Sequence, residues 1–126
     1  MKTIKDIAWL AGLLEGEGCF RLGKEKYPYI SVACTDRDTI VKAKKILGTR
    51  TLDWYETKPL MTTMWRTSVW GNKAIQWMMT LISLMSKRRK AKILEIVNFW
   101  KNHYYPGSGN RTNHPTNYQL LCEGRL

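Results

Sequence analysis

Leu10-Ala11-Gly12-Leu13-Leu14-Glu15-Gly16-Glu17-Gly18, reached through Ile4, Ile7, Ala8 and Trp9, is the stretch on which the reading of this 126-residue chain turns. From Ile7 to Leu14 every side chain is apolar or absent. A helix here has no solvated face and is expected to be buried on more than one side. Gly12 inside a helix costs about 1 kcal/mol against Ala. Yet Ala8, Gly12 and Gly16, with Ala11 beside them, recur at four-residue spacing on one face, where a second backbone could approach closely, as small-residue helices do in membranes. The helix then ends on Glu15 and Glu17, carboxylates at the end of the dipole that disfavours them. Two copies packed along the small-residue face would bring together two sets of carboxylates and helix-end carbonyls, a hard-oxygen site suited to Mg²⁺. A core helix with a glycine C-cap and two solvated glutamates is the other reading these residues allow.

Beyond Gly18 the apolar period changes from helical to two. Residues 19–23 and 27–34 alternate around the polar Lys24-Glu25-Lys26 and predict a hairpin, with Phe20, Leu22, Ile30 and Val32 facing a core. Arg21, Glu25, Tyr27, Tyr29 and Ser31 take the opposite face. Thr35 followed by Asp38 predicts a capping-box start, and Ile40, Val41, Ala43 and Leu47 an amphipathic helix closed by Gly48. A second strand pair follows at 49–55, with Leu52 and Trp54 inward, and 61–70. Its outer face carries Asp53, Tyr55, Thr62, Met64, Arg66 and Ser68. Asn72 is expected to cap a helix running through Ile75, Met78, Ile82 and Met85. Ser86 punctuates before Lys87-Arg88-Arg89-Lys90, and Ala91, Leu94, Val97 and Trp100 carry a last helix to about His103. The order is α-β-β-α-β-β-α(α), an α+β fold whose four-stranded antiparallel sheet has one greasy and one polar face. Residues 1–103 form one domain, and the turn-rich residues 104–126 read as a mobile C-terminal arm.

Lys plus Arg number 21 against 10 Asp plus Glu, a net charge of +11, which points to a polyanionic partner. The basic residues sit on strands and helix ends rather than along one amphipathic helix, which argues against a membrane surface. No window is long enough to span a bilayer. Asp6 interrupts the N-terminal apolar run and Glu15 and Glu17 follow it directly, which argues against a secretion signal. Cys19, Cys34 and Cys122 are odd in number and lack CxxC spacing, so neither a disulfide framework nor a zinc site is expected, and the chain reads as intracellular. Nothing in the pattern points to a small-molecule substrate. Lys87, Arg88, Arg89, Lys90 and Lys92 crowd a helix start against the dipole preference and call for an anion.

Residues 10–18 resemble the LAGLIDADG motif of homing endonucleases: Leu10 to Leu14 match its apolar part, Glu15 and Glu17 its two acids, Gly18 its last glycine. The element order from Ile4 to His103 resembles the LAGLIDADG core. The resemblance implies a homodimer through the motif helix, a saddle-shaped sheet lying in the major groove, and cleavage of a long near-palindromic duplex. It implies metal-assisted hydrolysis with Mg²⁺ or Mn²⁺ held by Glu17, the Gly16 carbonyl and Glu15. It further implies Lys87 as the lysine that steadies the scissile phosphate and Asp36 as an organiser of active-site water. On the sheet, Arg21 and Arg66 become candidate guanine readers, with Tyr27, Tyr29, Ser31, Asp53, Tyr55, Thr62, Met64 and Ser68 as further contacts. Arg88, Arg89 and Lys90 join them as DNA-binding residues. Glu at both acidic positions departs from the usual Asp and reaches further. A non-cutting relative, an RNA-splicing maturase or a DNA-binding regulator, would keep the same acids and basic face.

Overall fold

The computed structural model describes residues 2–24 and 26–103. Glu25, Cys122 and the whole expected arm from residue 104 lie outside the described residues. The elements are α1 (Ile4–Glu17), β1 (Gly18–Gly23), β2 (Tyr27–Cys34), α2 (Arg37–Leu47), β3 (Asp53–Thr57), β4 (Thr62–Trp70), α3 (Gly71–Leu81) and α4 (Lys87–Asn102), with a 3₁₀ turn at Ile82–Leu84. The α-β-β-α-β-β-α(α) order read from hydrophobic period therefore stands.

Helix α1 starts on a full capping box, Thr3 accepting from the Asp6 amide and Asp6 accepting from the Thr3 amide. It runs directly into β1, where Gly18 crosses so close to Leu14 that a Cβ would sit 2.6 Å from the Leu14 carbonyl oxygen. Only glycine allows this crossing. Helix α2 is capped by Asp36, whose carboxylate accepts from the Thr39 amide at 3.3 Å and from the Thr39 hydroxyl, so the cap lies one residue beyond the expected Thr35. It ends on Gly48 at φ 73°, the left-handed conformation that glycine adopts without strain.

All strand pairs are antiparallel in the order β1-β2-β4-β3. Phe20, Ile30, Val32 and Val69 turn one face into a core with Leu10 and Leu14 of α1, Ile40 and Leu47 of α2, Ile75 and Met78 of α3, and Ile93 and Ile96 of α4. Truncating a fully buried member such as Leu14 to Ala removes about 2–5 kcal/mol.

Four local expectations fail. Strand β3 begins at Asp53 rather than Thr49, because the hydroxyls take over the pairing: Thr49 donates to the Ser68 carbonyl at 2.9 Å and Thr67 donates to the Thr51 carbonyl at 2.6 Å. Trp54 has the inward parity but is 58% exposed, since β3 is an edge strand. On α4 the buried stripe is Ile93, Ile96, Val97 and Trp100, whereas Leu94 and Ala91 are exposed. Asn72 lies inside α3, which continues from β4 without a side-chain cap. Among the described residues no helix is long and apolar enough to cross a membrane.

Candidate nucleic-acid interface and active site

The sheet face away from the core carries the expected polar set, because residues opposite each other across antiparallel strands share a face. Arg21 faces Tyr29, Tyr29 faces Trp70, Ser31 faces Ser68, Asp53 faces Arg66, Tyr55 faces Met64 and Thr57 faces Thr62. These residues are not equally free to touch a ligand. Tyr29 and Ser68 are buried within the face, Tyr29 lying between the Arg21 guanidinium at 4.8 Å and the Trp70 ring at 4.0 Å. Arg21, Tyr27 and Tyr55 are exposed, and Ser31, Thr62 and Met64 partly so. Trp70, unplaced by sequence reasoning, joins this surface, and its parity with Arg66 and Ser68 was the signal that marked it.

Arg66 is held by Asp53 through two parallel hydrogen bonds, Nε to Oδ1 and Nη2 to Oδ2, each 3.1 Å, with the guanidinium 5.1 Å from the Tyr55 ring. The hydrogen bond to Asp53 is the main reason its pKa lies above the ordinary arginine value. A guanidinium has five N–H donors. Asp53 takes two, which leaves the outer edge of Arg66 free and aimed. Asp53 holds that guanidinium in place across the two strands.

The two acids of the motif have different surroundings. Glu15 accepts the Ser86 amide at 2.7 Å and the Ser86 hydroxyl at 2.9 Å, and its Oε2 lies 3.7 Å from Arg89 Nε. The Ser86 amide, then the Ser86 hydroxyl, hold its carboxyl below the usual range, with Arg89 and Arg88 adding to this against a small desolvation effect. Ser86 caps α4 as well, accepting from the Arg89 amide. Glu15 is thus spent on joining α1 to α4. Glu17 is exposed, and among the described residues no ion pair or hydrogen bond engages its side chain. Asp36 is likewise committed, to capping α2.

The basic cluster divides in the same way. Arg89 turns inward: Nη1 donates to the Gly18 carbonyl at 2.7 Å, Nη2 to the Glu15 carbonyl at 3.1 Å, and its side chain is 12% exposed. It is not available as a DNA contact. Lys87 and Arg88 are exposed and Lys90 partly so. A hollow of about 560 Å³ opens beside the end of α1, lined by Gly18, Cys19 and Phe20 on one side and Arg88, Arg89, Ala91, Lys92 and Glu95 on the other. Its lysine is Lys92, 3.5 Å from Glu95, and not Lys87. The i, i+3 and i, i+4 spacing of Arg88, Ala91, Lys92 and Glu95 was the sequence signal for this wall.

The outward face of α1 is not covered by any of the described residues. Ile4 is 86% exposed, Ala8, Gly12 and Gly16 are exposed, and a Cβ built on Gly12 or Gly16 meets nothing within 4 Å among the described residues. Ala11 points the other way, into the chain's own core. Among the described residues no cluster of three or more His, Cys, Asp or Glu could hold a metal.

A motif helix running into a four-stranded antiparallel sheet, with helices on one face and a polar surface on the other, is the LAGLIDADG homing-endonuclease fold, and this chain has it. It is similar in structure to the homing endonuclease I-CvuI bound to DNA in the presence of Mg (TM-score 0.56, 22% identity, 79% of this chain and 70% of that one). It is also similar to the group I intron-encoded homing endonuclease I-CeuI complexed with DNA (TM-score 0.54, 14% identity, 100% of this chain and 78% of that one). No family model and no curated protein matches by sequence, so the relation is carried by the fold.

Proposed function

We propose that the chain is one half of a homodimeric, site-specific DNA endonuclease that hydrolyses phosphodiesters with a divalent metal. The observation that carries this is the unequal fate of the two acids: Glu15 is engaged by Ser86 and Arg89, and Glu17 stands exposed without a partner among the described residues at the same helix end. An exposed carboxylate next to a helix-end carbonyl is a hard-oxygen donor set that fits Mg²⁺ or Mn²⁺, but two oxygens from one chain fall short of six ligands. A second copy packed along Ile4, Ala8, Gly12 and Gly16 would supply the matching pair, with phosphate oxygens completing the set. Gly12 and Gly16, which no contact among the described residues requires, support that packing.

In this reading Glu17 and the Gly16 carbonyl of each chain hold the metal. When bound, the metal activates water and stabilises the leaving oxygen. Arg21 and the buttressed Arg66 read base edges from the open sheet face, and Lys90 and Arg88 contact phosphates. Lys87, exposed on the first turn of α4, steadies the scissile phosphate, and Lys92, lining the hollow next to Gly18, is a second cation on the same helix. The neighbours' DNA complexes support a duplex as the partner.

The test is selection of bound sites from a random duplex library in Ca²⁺, followed by incubation of the selected duplex with Mg²⁺. A near-palindromic site cut on both strands is the expected result. A protein that binds tightly and leaves the duplex intact is instead a maturase or a regulator.

A further inference from the structure

The geometry points to Arg89 as a positioning residue that sets the direction in which Glu17 and the Gly16 carbonyl face. Its importance for cutting rests on the nuclease reading, whereas the restraint itself is a property of the folded chain. The carbonyls that Arg89 grips belong to Glu15 and Gly18, the residues immediately before and after the Gly16–Glu17 dipeptide. One guanidinium from α4 therefore clips both ends of the segment that bears the exposed carboxylate.

This segment needs such a clip. It lies at a helix end, where the last carbonyls have no helical partner, and it contains glycine, the residue with most conformational freedom to lose. A second restraint on it is the Gly18 amide bonded to the Leu14 carbonyl. Arg89 is in turn fixed from three sides. Its amide donates to Ser86 Oγ, its Nε lies 3.7 Å from Glu15 Oε2, and its guanidinium sits 5.8 Å from the Phe20 ring. The planar fork suits the task because its nitrogens reach two carbonyls at once. A lysine would present its donors from a single atom and could not span them.

The same clip ties the wall of the hollow to the motif. Arg88, Lys92 and Glu95 ride on the helix whose first turn carries Arg89, so the grip on residues 15 and 18 holds this basic wall at a fixed distance from Glu17. Arg89 acts through Glu17 and through the backbone, not on the substrate.

The test uses the full chain as wild type, Arg89→Lys, Arg89→Met and, as a charge control on the exposed last turn of α4, Lys101→Met. The first readout is amide hydrogen exchange. Both Arg89 variants should exchange faster across residues 15–19 while β2 and β4 keep wild-type rates. The second readout is the Mg²⁺ midpoint for cutting a selected duplex, which should rise about 10- to 100-fold, the range for losing a group that orients a metal ligand. DNA affinity in Ca²⁺ should stay near wild type, and Lys101→Met should match wild type in every measurement. Wild-type exchange at residues 15–19 in Arg89→Lys overturns the proposal. So does a loss of activity that merely follows the folded fraction with an unmoved Mg²⁺ midpoint, because that describes a residue needed for stability alone. If the wild type cuts no DNA, the nuclease reading fails and the exchange result alone decides the clip.

Discussion

The two faces of helix α1 make an instructive contrast. Every residue on the inward face has its reason inside the chain: Leu10 and Leu14 are fully buried, Ala11 fits against the core, and Glu15 ties down Ser86. The outward face, Ile4, Ala8, Gly12, Gly16 and Glu17, finds none among the described residues, although a glycine in mid-helix is costly and Ile4 is 86% exposed. One face is accounted for by the packing of the described core. The other is left open by it, and that is where the proposed dimer and its metal site are assigned.

The contrast breaks most sharply at Gly12. Gly12→Leu adds a side chain where nothing in the protomer would meet it, so the monomer should fold and melt within about 1 kcal/mol of wild type, the helix propensity even improving. Dimerisation and cutting should both be lost. Sedimentation in the presence of the selected duplex checks this, and a Leu variant that stays dimeric and active removes the interface.

Next in size is the lysine pair. Lys87→Met should slow single-turnover cleavage at saturating DNA strongly, and Lys92→Met should do so less, because Lys92 lies 3.5 Å from Glu95 whereas Lys87 is exposed with no ion pair among the described residues. The reverse order would move the phosphate-steadying role to Lys92. On the sheet, Arg66→Ala should lose about 1–3 kcal/mol and relax preference at one symmetric pair of positions. Asp53→Asn should lose less, since the guanidinium survives but is no longer held. Competition binding with singly substituted sites measures both.

The smallest effect is at Glu15. Its folded pKa is depressed, so the stabilisation from its ionised form is present above the ordinary carboxylate range and fades as pH falls through the depressed value. Wild type should therefore melt above Glu15→Gln near neutral pH. The gap should close on titration from about pH 7 to about pH 3. A gap independent of pH would mean that the negative charge does not matter to the joint.

Much of this was legible in the sequence because hydrophobic period reports burial. The strand faces from Cys19 to Cys34 and from Met61 to Trp70 follow from alternation alone, and the motif helix from its uninterrupted apolar run. What sequence could not show is where one polar group spends itself on another. Arg66 and Asp53 both read as outward DNA contacts, but only register reveals that they face each other across β3 and β4. Arg89 reads as one of four equivalent basic residues, and only the packing of α4 on β1 turns it inward. Asp36 caps α2, a position that sequence leaves open between Thr35 and Asp36. Trp54 fits its periodic pattern and is exposed because β3 is an edge strand, and Leu94 is exposed because α4 packs through Ile93, Ile96, Val97 and Trp100 instead.

The most direct measurement concerns Glu17. Glu17→Gln keeps size and hydrogen-bonding capacity and removes the charge, on a side chain that engages nothing else among the described residues. With the selected duplex and Mg²⁺, wild type should cut both strands. Glu17→Gln, folded and dimeric, should bind that duplex in Ca²⁺ as tightly as wild type and leave it intact. A Glu17→Gln protein that cuts at the wild-type rate contradicts the account.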